Sequence, residues 1–384
     1  MAANLTTERP AAPEVRFRHL RRLTDDTGLL EHAIGRIPRR SEGYTTDDNA
    51  RALWACVEWI DLDPALAEAE RLPELAERYA GFLYWARKAD GRFHNNFDYG
   101  RRPETEQPSD DCLGRTIWAL ARTVSSPFGG RLSPAVPDLL TNAFPAARSM
   151  GSPRGWAYAL AACALLERRR AASGLRDDTD VPLPGEWVGS LAAELARRLL
   201  DRYRAESGPG WLWFEPVMTY SNGLMPWALF EAHAAFGGGE ALAIARDTFR
   251  FLAERMTAPK GAIRPIGNRG WGTRQGTARW DQQPIEAFKL ALAAEAGYRA
   301  TGEREYRDTA LACRAWFHGR NDCGAPLADP ADGSCCDGLT PGGPNANRGA
   351  ESTIAWLLTE AVVRRMDGMM DDRPRGVAQS RYSR

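Results

Sequence analysis

Lysine is nearly missing from this 384-residue chain: of 50 basic residues, only Lys88, Lys260 and Lys289 are lysine. Fifty acidic residues balance the bases. No net field of one sign therefore draws the chain to nucleic acid or to an anionic membrane. Histidine is scarce as well, with His19, His32, His94, His233 and His318 the whole supply. The longest apolar runs, such as residues 157–166, fall well short of the ~20 residues that span a bilayer. The start, MAANLTTERPAAPEV, has no basic segment followed by an apolar core, so no secretory signal is expected. Seven cysteines are scattered through the chain. Their odd number suggests reduced thiols and a cytoplasmic location. Cys323, Cys335 and Cys336 form no CxxC pair and have no nearby His, so neither a metal nor a cofactor is expected. P-loop, GxSxG and HExxH patterns are absent too.

The positive signal is a loose internal repeat. Six segments open with polar residues and turn strongly apolar: 45–60, 109–123, 152–166, 220–236, 281–298 and 347–363. Between them lie amphipathic stretches carrying more charge, near 16–34, 64–88, 134–149, 187–205, 238–256 and 303–317. In the fourth of these, Leu191, Leu195, Leu199 and Tyr203 fall on one helical face and Arg197, Arg198 and Arg202 off it. A helix apolar on most sides is buried, and one with a single stripe is exposed on its other side. The pattern predicts an all-α fold, an (α/α)6 toroid of six inner and six outer helices. Antiparallel pairing makes the inner helices run one way, so their polar heads converge on one mouth. Long Gly-, Pro- and Trp-rich stretches at 91–108, 206–220, 258–280 and 319–346 should rise over that mouth. One domain is expected over residues 16–365, with a flexible segment 1–15 and a disordered tail 366–384.

The heads carry the chemistry. Hydrolysis of a glycosidic bond needs two carboxyl groups, one protonated and one ionised, set wider apart for inversion than for retention. Opposite walls of a helical barrel suit the wider setting. Helix N-termini favour the charged form, which makes Asp47, Asp48 and Asp111 candidate bases. Glu286 and Glu351 lie a turn into their helices, where burial could fit them as acids. Asn49, Arg51, Asp110, Arg115, Arg154, Tyr220, Asn222, Gln282, Gln283, Asn345 and Asn347 are candidate sugar-binding groups. Local alternatives exist: Thr45 and Asp48 resemble a capping box, and Asp47–Arg51 and Asp111–Arg115 are spaced as i, i+4 ion pairs. Trp54, Trp59, Trp85, Trp118, Trp227 and Trp356 read as core. The loop residues Trp211, Trp213, Trp271 and Trp280 could stack on sugar faces or anchor their loops; Trp213, Trp271 and Trp280 are carried as candidates. His94 and His318 would serve an epimerase or isomerase on the same scaffold. Arg264, Arg274, Arg279 and Arg348 near the mouth would admit an anionic substrate.

Lined up, the segments resemble a bacterial family of six-hairpin, glycosidase-like helical domains. Its members occur fused to or beside glycosyltransferases and mannoside-active enzymes. The resemblance rests on GYTTDDNARAL (43–53), SDDCLGRTIWAL (109–120), WFEPVMTYSNGLMPWAL (213–229), IGNRGWG (266–272), DQQPIEAF (281–288), WFHGRND (316–322) and CCDGLTPGGPNANRGAEST (335–353). It covers roughly residues 16–363. Asp110, Asp111, Cys112 and Leu113 depart from a family pattern of Glu-Asp followed by His, and Ser221 often stands as Asp. The resemblance implies a carbohydrate-active protein with an oligosaccharide partner and an association with a glycosyltransferase, but no particular reaction. The leading expectation is an inverting glycoside hydrolase. A non-catalytic glycan-binding domain assisting a glycosyltransferase and a sugar epimerase are the alternatives.

Overall fold

A computed structural model describes residues 14–105, 108–173 and 182–371. Among these, thirteen α-helices follow one another. They are α1 (Arg18–Leu23), α2 (Thr46–Leu62), α3 (Pro64–Ala69), α4 (Leu72–Ala86), α5 (Asp110–Val124), α6 (Ala135–Ala143) and α7 (Pro153–Ser173). Then come α8 (Gly185–Glu206), α9 (Leu224–Phe236), α10 (Gly239–Arg255), α11 (Pro284–Thr301), α12 (Arg304–Phe317) and α13 (Ala350–Asp371). Five antiparallel pairs of two-residue strands make up the described sheet, all within or beside the connecting loops.

Helices α2, α5, α7, α9, α11 and α13 form a closed inner ring, each packed on the next and α13 returning to α2. Side-chain pairs show that these helices run parallel. Near their N-termini, Asp47 meets Arg115 and Arg51 meets Glu351. Near their C-terminal halves, Glu58 meets Arg122 and Arg365, Arg365 meets Glu295, and Glu231 meets Arg168 and Arg299. The fold is an (α/α)6 toroid, with all six polar heads at one mouth.

Composition explains the layering. Helix α11 is buried along its length from Pro284 to Tyr298, and α2 nearly so from Thr46 to Trp59. Helices α8 and α12 bury one stripe each: Val188, Leu191, Ala192, Leu195 and Leu199 in the first, Tyr306, Ala310, Cys313, Trp316 and Phe317 in the second. Ala-rich inner faces let the ring close around Trp54, Trp118 and Trp227, which meet edge to face with centroids 5.5 and 4.7 Å apart.

Several expectations change. The stretch 16–34 forms only the six-residue α1, followed by a hairpin that pairs Ala33 with Pro38. Val15 is buried in the core rather than part of a loose segment. Helix α13 runs to Asp371, past the expected start of the tail; residues 1–13 and 372–384 lie outside the described residues. Trp85, read as core, is 44% exposed on α4. No described helix is long and apolar enough to cross a membrane.

Candidate functional site

The mouth is built first at the head of α2. Thr45 caps this helix, its hydroxyl accepting from the Asp48 backbone N–H at 3.0 Å. The cap fixes where the first turn begins and so aims Asp47 and Asp48. Asn95, from the loop after α4, donates to Asp47 at 3.4 Å and accepts the Asp47 backbone N–H at 3.1 Å. The i, i+4 pairs suggested by spacing do not form. Asp47 takes Arg115 of the neighbouring α5. Arg51 instead binds Asp48 at 2.6 Å and Glu351 of α13 at 2.6 Å. Asp111 accepts from the Ser152 hydroxyl at 2.7 Å and from the Tyr220 phenol. Where helix heads converge on one mouth, partners on neighbouring helices compete with those along the same helix.

Of these groups, Thr45, Asp47, Asp48, Arg51, Asn95 and Glu351 line a cavity of about 270 Å³, while Asp111, Arg115 and Tyr220 lie outside its wall. Its wall includes Asp47, Asp48, Arg51, Gln283 and Glu351, all expected, and Glu31, His32 and Asp337, which were not. The carboxyl groups differ in proton affinity. Burial pushes Glu31 up to about 7, helped by the charges of Asp48, Glu42 and Glu351. Burial likewise lifts Asp337 to about 6, again with Glu351 and Asp48 adding to it. Burial also outweighs Arg51 at Asp48, which sits above its ordinary range. Burial acts on Asp47 too, but Arg115 and Arg51 outweigh it and hold this carboxyl below its usual range. Beyond burial, Glu31 feels Asp48 and Glu42 more than the opposing Arg51, whereas Asp47 is paired with Arg115. The cavity therefore combines carboxyls raised toward neutrality with one, Asp47, that stays ionised. His32 accepts at Nδ1 from the Asn347 amide at 3.1 Å and approaches Glu31 at 3.4 Å.

The remaining expected groups fall elsewhere. Glu286 is 1% exposed and does not line the cavity. It accepts from the backbone N–H groups of Ser221 and Asn222, and from the Asn222 amide at 2.8 Å. Burial lifts it to about 7 despite those three donors. Asn49 is buried and ties its helix to Leu29, accepting that N–H at 2.9 Å. Gln282 is buried between Trp316 and Asp322, at 3.0 and 2.7 Å. Asp110 holds the entry to α7 through the N–H groups of Gly151 and Ser152, at 2.6 and 3.1 Å. Asn345 and Asn347 shape their loop by accepting the backbone N–H groups of Asp337 and Ala33. Trp213, like Trp211, is fully buried and anchors its loop. Trp271 and Trp280 are half-buried away from the cavity, Trp280 beneath Arg279. Arg154 is buried under the Tyr220 ring. His94 contributes its backbone carbonyl to Thr46. His318 bonds Glu360 at 2.8 Å, between α12 and α13 and outside the cavity. Arg264 and Arg279 are spent on Asp322, and Arg348 on Ser334 and Asp329. Arg274 pairs with Glu206. Among the described residues, no cluster of His, Cys, Asp or Glu has the arrangement of a metal site.

Glu31 and His32 escaped the sequence because their stretch carried the apolar pattern of an outer helix. Asp337 stood inside a recognisable motif, but nothing local marked it as facing the mouth.

No protein-family model and no curated protein matches the sequence. Solved structures do. A cellobiose 2-epimerase from Bacillus thermoamylovorans superposes with a TM-score of 0.67 at 10% identity, covering 91% of this chain and 96% of its own. A D-mannose isomerase gives 0.67 at 12% identity, covering 91% and 95%. A GH76 α-mannanase from Bacteroides thetaiotaomicron gives 0.62 at 12% identity, covering 92% and 95%. At such identities the likeness establishes the fold. It is the six-hairpin barrel shared by sugar epimerases and glycoside hydrolases.

Proposed function

We propose that this chain is a glycoside hydrolase that cleaves an oligosaccharide in the cavity between Glu31 and Asp47. The observation that carries the reading is one cavity whose wall holds both a carboxyl lifted to about 7 and another held ionised by Arg115. Glu31 protonates the leaving oxygen. Asp47, fixed by Arg115 and Asn95, takes the proton of the attacking water. The water adds from the opposite side of the sugar ring, giving inversion. Glu286, expected from the sequence, with Glu351, as a candidate for the acid, becomes a positioning residue in this scheme. Glu351 and Asp48, joined through Arg51, bind hydroxyls of the substrate.

The test is incubation with α-manno-oligosaccharides and cello-oligosaccharides, read by mass spectrometry and by proton NMR of the first-formed anomer. These sugars are chosen because an α-mannanase and a cellobiose epimerase share the fold. The reading expects a shorter, inverted product, lost in both Glu31→Gln and Asp47→Asn. A shorter product that survives both changes would remove these two residues from the chemistry.

Epimerisation is the second reading, favoured by the imidazole of His32 in the cavity wall and by the epimerase and isomerase barrels. It predicts an isomeric product of unchanged mass in ordinary water, one deuterium beside the carbonyl carbon in heavy water, and loss of the isomer and of the label in His32→Ala.

A further inference from the structure

Beside the acidic cavity, one aromatic ring at the mouth is exposed and fixed at the same time. Tyr220 is 41% exposed. Its phenol donates to Asp111 at the head of α5. The guanidinium of Arg154, itself buried, lies 4.3 Å from the ring centroid. A cation therefore lies over the ring, while the residue keeps 41% of its surface exposed.

The supports of this ring are themselves held. Arg154 donates to the Tyr220 carbonyl at 2.6 Å, to Thr219 at 2.7 Å and to Glu215 at 3.1 Å. The second oxygen of Asp111 is taken by the Ser152 hydroxyl at 2.7 Å. The next residue, Ser221, has φ of 52°, a left-handed conformation uncommon outside glycine. Its N–H and that of Asn222 are gripped by the buried carboxyl of Glu286. Six side chains, those of Arg154, Thr219, Glu215, Asp111, Ser152 and Glu286, thus hold in place a ring that remains partly exposed, an arrangement that core packing does not require. A ring already immobilised loses little freedom when a partner stacks on it.

Arg115 links this platform to the cavity. It lies one helical turn beyond Asp111 on α5 and pairs with Asp47 in the cavity wall. The cavity, at about 270 Å³, has room for a single sugar ring and leaves the rest of an oligosaccharide outside.

We propose that Tyr220 is the stacking platform for the sugar unit next to the one held in the acidic cavity, and that it sets the preference for chains over single sugars. The proposal rests on the carbohydrate reading above. Arg154 polarises the ring from below, Asp111 sets its tilt, and Glu286 acts as a positioning residue through the Ser221–Asn222 backbone.

The experiment is calorimetric titration of the protein with mannose and α-mannotriose, and with glucose and cellobiose. The quantity read is the ratio of Kd for the single sugar to Kd for the chain. The wild type is expected to prefer the chain. Tyr220→Ala should reduce that ratio roughly threefold to tenfold, as loss of one stacked aromatic contact implies, while Kd for the single sugar holds. Tyr220→Phe, which keeps the ring, should retain most of the preference. Tyr220→Leu, which keeps bulk without a flat face, should behave as Ala does and covers a folding failure of Ala. An unchanged ratio in Ala and Leu overturns the proposal and leaves the carbohydrate reading intact. Equal weakening of single sugar and chain also overturns it, as does a loss in Phe as large as in Ala. No binding of any of these sugars by the wild type defeats the carbohydrate reading, and the proposal falls with it.

Discussion

Replacing Glu286 with Gln should make the cost of the substitution depend on pH. The carboxyl is 1% exposed, and its described partners are three N–H donors from Ser221 and Asn222. Burial opposes its ionisation more than the donors favour it, and its pKa rises from 4.5 to about 7. A carboxyl raised in the fold contributes stability that is fully present below the unfolded value. That stability is lost as pH rises through the folded value. Between pH 5 and pH 8, these two values give a loss of about 2.5 kcal/mol from this one group. Glutamine cannot ionise, so the variant lacks this slope. It does turn one N–H toward the N–H groups that Glu286 accepts, a cost of about 1–3 kcal/mol at any pH. At pH 5 the variant should therefore be less stable than the wild type, and by pH 8 most or all of the deficit should be gone. Other raised carboxyls, Glu31 and Asp337 among them, are present in both proteins and cancel in the difference. Urea denaturation at the two pH values measures it directly. The same ΔΔG at pH 5 and pH 8 would mean that Glu286 keeps an ordinary pKa inside the barrel, and the argument from burial would fail.

Other substitutions probe the rest of the barrel. Arg51→Met removes the cation shared by Asp48 and Glu351 and should cost about 3–5 kcal/mol, the penalty for unpairing buried charge, in chemical denaturation. At the opposite end, Glu58 accepts from Trp54 at 2.8 Å, Arg122 at 2.8 Å and Arg365 at 2.6 Å. Burial would raise its carboxyl, but the two guanidiniums win and lower it to about 2. Its contribution is therefore present above pH 4.5 and lost as pH falls toward 2; Glu58→Gln should destabilise strongly at pH 7 and much less near pH 2.5. A Cβ on Gly223 would come 2.2 Å from the Lys289 carbonyl oxygen, where backbone meets backbone, so Gly223→Ala should lower thermal stability by about 1–3 kcal/mol. Wild-type melting behaviour in that variant would show that α9 and α11 can part without cost.

Much of the architecture was legible in the chain. The inner helices begin within about four residues of the positions marked by their polar heads, because N-capping and apolar periodicity are local properties. Thr45 caps α2 as its sequence suggests, accepting the Asp48 N–H, and Ser109 caps α5 in the same way, accepting the Cys112 N–H. The short α1 was misjudged because its stretch has helical periodicity but folds in part into a hairpin that borders the mouth.

The site divides along the same line. Asp47, Asp48, Arg51 and Glu351 were readable, since a polar residue at the head of an otherwise apolar helix has few reasons to be there. Which carboxyl keeps a proton was not. Glu286 and Glu351 look alike in sequence, each a turn into an inner helix. Only the fold places Glu286 under the Ser221–Asn222 backbone and Glu351 on Arg51 at the cavity wall. Glu31, His32 and Asp337 arrive from loops whose course depends on long-range contacts, such as the pairing of Ile34 with Asn347. Sequence alone determined the alternation of helices and the mouth on which they converge, because helix formation and amphipathicity are short-range. Tertiary structure decided the ion pairs, the proton-bearing groups and the exposed face of Tyr220, because charge, burial and access depend on residues distant in the chain.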